Sequence, residues 1–161
     1  MHDAIPMAIV VLPVVVFFAF AGRGFVTFRR TQATLCFVCA LPLLLSATGH
    51  FARPALYASI IPPSFPHPVL LVLLSGIFEV LGAIGLLLRP TRRAASLCLV
   101  LLMITVFPAN IYAANRTVGG WPMPGVPVRT AMQVVYILML LAAGWGLPRI
   151  RRPSGGAETP E

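Results

Sequence analysis

Residues 69–88 read VLLVLLSGIFEVLGAIGLLL, an apolar run whose single charged residue, Glu79, stands near its middle. A helix of about 20 such residues matches the hydrocarbon thickness of a bilayer. An ionised side chain at that depth costs about 2.5–3.5 kcal/mol on insertion scales, so its surroundings must account for it. Ser75 lies one helical turn earlier on the same face, and Gly82 and Gly85 follow it. Small residues let a second helix approach closely. The stretch therefore predicts a membrane helix whose polar, small-residue face turns inward. Its acid must be protonated, hydrogen-bonded or facing water inside a bundle.

Four further segments share this character. They are 4–22 (AIPMAIVVLPVVVFFAFAG), 32–49 (QATLCFVCALPLLLSATG), 94–114 (AASLCLVLLMITVFPANIYAA) and 130–148 (TAMQVVYILMLLAAGWGLP). All five are expected to be helices, because an open strand edge cannot survive in hydrocarbon. Composition agrees: 58% of the 161 residues are hydrophobic and 10% charged. Soluble domains run at about 45–50% and about 25%. A mean hydropathy of +0.92 is also far from the soluble range. A water-soluble globule of this size cannot hide so much apolar surface. The expectation is an all-α, multi-pass protein whose solvent is the lipid bilayer of the cell (inner) membrane.

The net charge of +8 comes from 12 arginines against four acids. The arginines stand singly or in short groups between apolar runs and form no basic face, which argues against a nucleic-acid partner. They count instead as orientation signals. Arg23, Arg29, Arg30, Arg89, Arg92, Arg93, Arg149, Arg151 and Arg152 fall on one side of the five-span scheme. Arg53, Arg116 and Arg129 fall on the other. The richer side is cytoplasmic by the positive-inside rule, so the N-terminus is expected outside and the C-terminus inside. Ala19-Phe20-Ala21 resembles a signal-peptidase site, but no Arg or Lys precedes the run and three arginines follow it. Segment 4–22 is thus expected to be a retained anchor. Residues 1–31 form an anchor and loop, 32–148 a membrane bundle, and 149–161 a disordered polar tail.

The outer connections carry Pro54, Pro62, Pro63, Pro66, Pro68, Pro122, Pro124 and Pro127, together with Tyr57, Phe65 and Trp121. Proline stiffens a connection and opposes regular helix, so these loops are expected to be irregular. They read either as an interfacial cap or as a lid over an outward cavity. The sequon Asn115-Arg116-Thr117 abuts a helix end and carries no argument. Within the bundle, His50, Ser75, Glu79 and Asn110 are expected to gather in the outer half. From the segment bounds, Glu79 lies about 15 Å below the outer end and Asn110 about 6 Å, a separation that leaning side chains and one water can bridge. Such a cluster is either a clasp that fixes helix register or a reactive, ligand-binding site built on Glu79.

Cys36 and Cys39 form C-x-x-C, with Cys98 as a third thiol. A C-x-x-C pair supports thiol exchange, but here the flanks are apolar and no Lys or His stands nearby to activate a thiolate. Packing as small hydrophobes is the alternative. Three cysteines with no matching histidine make no zinc set, so no metal is expected. Phosphate loops, nucleophile elbows and paired haem histidines are absent from the sequence.

Several stretches resemble, in order, the DoxX-like integral membrane proteins. They are Gly49-His50-Phe51 with Pro54, Ile61-Pro62-Pro63 to Pro66, and Ser75-Gly76-Ile77-Phe78-Glu79. Gly85-Leu86-Leu87-Leu88, Pro90-Thr91-Arg92-Arg93 and Phe107-Pro108-Ala109-Asn110-Ile111-Tyr112 complete the set. The resemblance spans 32–148 and implies a compact four-helix membrane bundle, to which the helix at 4–22 is an addition. It also implies kinship with thiosulfate:quinone oxidoreductase subunits and with membrane redox or assembly complexes. Three functions stay open. The chain is an accessory subunit of a quinone- or thiol-linked redox system, with Glu79 as proton relay and quinone as a cofactor. Alternatively it is a non-enzymatic scaffold, or a small proton-coupled transporter. The last needs a homo-oligomer, because so short a chain leaves little room for alternating access.

Impermeant thiol labelling checks the expected orientation. A cysteine at position 155 should stay unlabelled in intact cells and one at position 121 should react; labelling at 155 contradicts it.

Overall fold

The computed structural model describes residues 28–146. The anchor expected at 4–22 and the tail 149–161 lie outside them. The described chain is mostly helical. Helix α1 spans Phe28–Ala52, α2 Pro54–Ala58, α3 Pro68–Leu87, α4 Arg92–Thr105, α5 Phe107–Ala113 and α6 Val126–Trp145. Two short strands, β1 (Thr117–Val118) and β2 (Trp121–Pro122), stand between α5 and α6. Three helical stretches are long and apolar enough to cross a membrane: Gln32–Ala52, Pro68–Leu87 and Val126–Trp145. Helices α4 and α5 make a fourth only as a broken pair, bent by 41°.

The long helices run up and down in a four-membered ring. α3 packs on α1 and α4, and α6 packs on α4 and α1. Each buries one stripe. On α3 that stripe is Val72, Gly76, Glu79, Gly82, Ala83 and Leu86, the helical spacing of a single face. The opposite face leaves Leu70, Leu74, Phe78 and Leu81 exposed. The core is made of Leu35, Cys36, Cys39, Ala40 and Leu43 from α1 and Ala83 and Leu86 from α3. Leu99 of α4 and Met139, Leu140 and Ala143 of α6 complete it.

Small residues set the spacing. A Cβ on Gly82 would run into the side chain of Leu99, so α3 and α4 touch there almost backbone to side chain. Buried hydroxyls and amides then tie helices to one another. Ser96 Oγ donates to Leu140 O at 2.7 Å, Gln32 Nε2 to Ala143 O at 3.0 Å and Tyr136 Oη to Cys39 O at 2.6 Å. At the end where α3 stops, Arg92 Nε donates to Leu86 O (3.0 Å) and Thr91 Oγ1 to Gly85 O (2.9 Å). A cation on the carbonyl end of a helix also complements its dipole. Arg92, read from sequence as an orientation signal, thus caps α3 as well.

At the opposite end, Pro62, Pro63, Pro66 and Pro124 stand in irregular connections as expected, but other prolines do not. Pro54 and Pro68 open α2 and α3, and Pro108 and Pro127 stand second in α5 and α6. In the first turn a missing N–H removes no helical bond and the fixed φ favours helix, so these prolines start helices. For the same reason α6 begins at Val126, four residues before the expected 130. Segment 94–114 is not one helix, because its backbone turns at Val106 ahead of Pro108. Gly119 and Gly120, with φ of 59° and 87°, supply the two positive-φ positions of a tight hairpin between β1 and β2.

Gly82→Val should lower the unfolding midpoint in detergent by the equivalent of about 1–3 kcal/mol, as an overpacked helix contact does. Leu81→Ala, on the exposed face next to it, should leave the midpoint nearly unchanged. Equal effects of the two would contradict the close α3–α4 approach.

Candidate functional site

Glu79 is buried, with 7% of its surface exposed. Its surroundings are built from two i, i+4 pairs on antiparallel helices. α1 contributes Ser46 and His50, and α3 contributes Ser75 and Glu79. Because the helices run in opposite directions, the pairs meet crosswise. Ser46 stands beside the Glu79 carboxyl group, and His50 meets Ser75, with Ser75 Oγ 3.2 Å from His50 Nδ1. Gly76 makes the approach possible, since a Cβ there would lie 3.0 Å from His50 Cβ and 3.2 Å from Phe51 Cζ.

Proton bookkeeping fixes part of the polarity. Ser75 Oγ donates to Val72 O at 2.8 Å, which uses its only proton. His50 Nδ1–H must then be the donor to Ser75, and Nε2 is left as an acceptor unless the ring is charged. Glu79 Oε2 lies 3.8 Å from His50 Nδ1, beyond hydrogen-bonding distance. This oxygen is buried and has no hydrogen-bond partner. A buried oxygen left unpaired in this way loses hydration without compensation. One water or one ligand atom donating to Oε2 would satisfy it.

Tyr57 of α2 closes the outer side. Its ring stands edge-on to His50, centroids 4.6 Å apart and planes at 75°. Burial and the Glu79 carboxylate raise the Tyr57 pKa, and Arg53 opposes them. The phenol therefore keeps its proton past its ordinary range and remains a neutral donor. The group as a whole can accept, hold and release a proton.

Asn110 belongs to a different centre. The expected four-residue cluster divides in two, because α5 packs against α6 and α4. Asn110 Nδ2 donates to Gln133 Oε1 at 2.9 Å, and Gln133 Nε2 donates to Met103 O at 2.9 Å. Arg129 Nη2 donates to Asn110 Oδ1 at 2.7 Å. Pro108 lacks an N–H, and the helix breaks beside it, so carbonyls near Met103 need donors from outside α4. Gln133 supplies one. Asn110 is thus part of a brace across the α4–α5 bend.

Cys36 and Cys39 are both free and lie in the apolar core. Cys36 Sγ approaches Ala143 O at 3.7 Å. Cys98 is exposed on α4. Among the described residues no cluster of three or more His, Cys, Asp or Glu side chains forms a metal set. A shallow apolar depression of about 390 Å³ at His67–Leu70 and Leu73 involves none of the Glu79 group.

Sequence reasoning missed Ser46 and Gln133, and read Tyr57 only as an aromatic of the outer connections and Arg129 only as an orientation signal. Ser46 was signalled only by its spacing of four from His50, and Gln133 only as a lone amide in an apolar run.

A family model described as "Domain of unknown function (DUF8561)" matches residues 39–143. The chain belongs to this family. No curated protein and no solved structure matches the chain. The DUF8561 span takes in the Glu79 group and the Asn110–Gln133–Arg129 brace, begins at Cys39 and leaves Cys36 outside.

Replacing Gln133 with Leu strands the Met103 carbonyl and the Asn110 amide. Interhelical hydrogen bonds in membranes average about 0.6 kcal/mol, so the two lost bonds should destabilise the bundle by about 1 kcal/mol. Thermal unfolding in detergent measures it; no change would mean that the brace carries no stability.

Proposed function

We propose that this DUF8561 chain is a DoxX-like multi-pass protein of the cell (inner) membrane. In this reading it is an accessory subunit of a quinone- or thiol-linked redox system, and Glu79 is its proton-exchanging or ligand-binding group. One observation carries the proposal: Glu79 Oε2, buried and without a partner, 3.8 Å from the imidazole of His50. Ionisable groups inside a membrane tend to be functional, because they are expensive to keep there. The membrane setting is supported by three helices of spanning length and by the unequal shares of arginine. The resemblance at His50, Ser75–Glu79 and Asn110 supports the redox association.

The donor set fits a quinone carbonyl, an acceptor to which a protonated Glu79 carboxyl can donate. A bound quinone would supply two-electron, two-proton chemistry. The chain's own part is to position the carbonyl and hold or pass a proton at Glu79 Oε2, with Ser46 beside the carboxyl group and Ser75 orienting His50. The thiol branch of the proposal does not draw on Cys36 and Cys39, whose burial favours packing.

The crosswise Ser46–Glu79 and His50–Ser75 pairing also supports a second reading, a register clasp in a non-enzymatic scaffold. Glu79→Gln distinguishes them, since it keeps shape and hydrogen bonding but cannot exchange a proton. We expect Glu79→Gln to fold with a wild-type unfolding midpoint and to fail to complement a deletion strain. Glu79→Leu should lower the midpoint slightly, by about 0.6 kcal/mol for each lost bond. Full complementation by Glu79→Gln would leave the scaffold.

A further inference from the structure

Arg129 stands in the first turn of α6, half-buried, and every contact it makes is with a neutral group. Nη2 donates to Asn110 Oδ1 at 2.7 Å and Nη1 to Met123 Sδ at 3.5 Å, while Nε is buried without a partner. A guanidinium ordinarily meets a carboxylate or phosphate in such a setting, because a buried cation without a counter-charge is costly. The described residues contain one acid, Glu79, and it stands beside Ser46 and faces His50 across α1 and α3. The counter-charge of Arg129 is therefore not among them.

A second guanidinium belongs to the same corner. Met123 N donates to Arg116 O at 2.8 Å, so the residue that contacts Arg129 is tied directly to Arg116. Arg116 is exposed, and its charge is held 3.6 Å over the ring of Tyr112. In the hairpin that follows it in sequence, Gly120 has nothing within 4 Å of where a Cβ would stand. Two guanidinium groups with no acid beside them among the described residues describe a receptor for negative charge.

We propose that Arg129, together with Arg116, binds an oxyanion, a phosphate group carried either by a lipid headgroup of net negative charge or by a soluble molecule. Arg129 provides the fixed charge, oriented by Asn110. Arg116 provides a second, exposed contact. Because Asn110 also holds Gln133, occupancy of the site would brace the α4–α5 bend. The site shares no residue with the Glu79 group and stands whether or not Glu79 exchanges protons.

The test uses the purified full chain in neutral detergent. Unfolding midpoints are titrated with inorganic phosphate, with short-chain phosphatidylglycerol and with short-chain phosphatidylcholine, since binding to the folded state raises the midpoint. The wild type should show a saturable rise with at least one of the two anionic probes, and a much smaller one with phosphatidylcholine. A rise with inorganic phosphate identifies a soluble oxyanion; a rise with phosphatidylglycerol alone identifies a lipid headgroup. Arg129→Gln should weaken the apparent affinity by about tenfold or more, and Arg116→Gln by a smaller factor, as expected for charge-assisted bonds. If Arg129→Gln does not fold, the exposed Arg116→Gln decides. No rise in the wild type, an equal rise with phosphatidylcholine, or wild-type affinity in the deciding variant would overturn the proposal.

Discussion

A carboxyl group halfway along an apolar helix has to be enclosed by neighbours that can meet its hydrogen-bonding capacity. Glu79 imposes that condition on α3, and much of the bundle follows from it. The helix turns Val72, Gly76, Glu79, Gly82 and Leu86 inward, and α1 brings Ser46 and His50 to the same depth. The outward face is then free to be uniformly apolar. Where hydroxyls would be too bulky, glycine lets helices close up, as Gly76 does against His50 and Gly82 against Leu99.

The polar groups divide into two centres. Along the α4–α5 bend, Asn110, Gln133 and the Met103 carbonyl are paired with one another, as in a structural brace, and the unpaired Nε belongs to Arg129 at its edge. Around Glu79 the geometry stops short: Oε2 lacks a partner while an imidazole waits 3.8 Å away. An apolar or amide side chain would serve packing there at lower desolvation cost, which is why the proposed chemistry is placed at this centre. Cys36 and Cys39 belong to the core with Leu35, Leu43 and Met139.

Much of the bundle was legible in the sequence. The helix at 69–88, its inward polar face and the gathering of His50 with Ser75 and Glu79 followed from length, spacing and the cost of a lone acid. Ser46 was not legible, because its role depends on the antiparallel register of α1 against α3. Asn110 was placed with Glu79 by height along the bundle, but height says nothing about which helix stands beside which. α5 packs on α6, and Asn110 went with it. The prolines misled in one direction. Pro54 and Pro127 were read as stiffeners of irregular loops, whereas in the first turn of a helix the same locked φ is an advantage.

The central claim is that the Glu79 carboxyl group exchanges its proton from within the bundle. Infrared difference spectroscopy on the full chain in bilayers, compared with Glu79→Gln, tests it directly. The account predicts a carboxylic-acid carbonyl band that changes reversibly with pH, shifts in heavy water and disappears in the variant. A Glu79-dependent band insensitive to pH and to heavy water, or no band that distinguishes the two proteins, would contradict it.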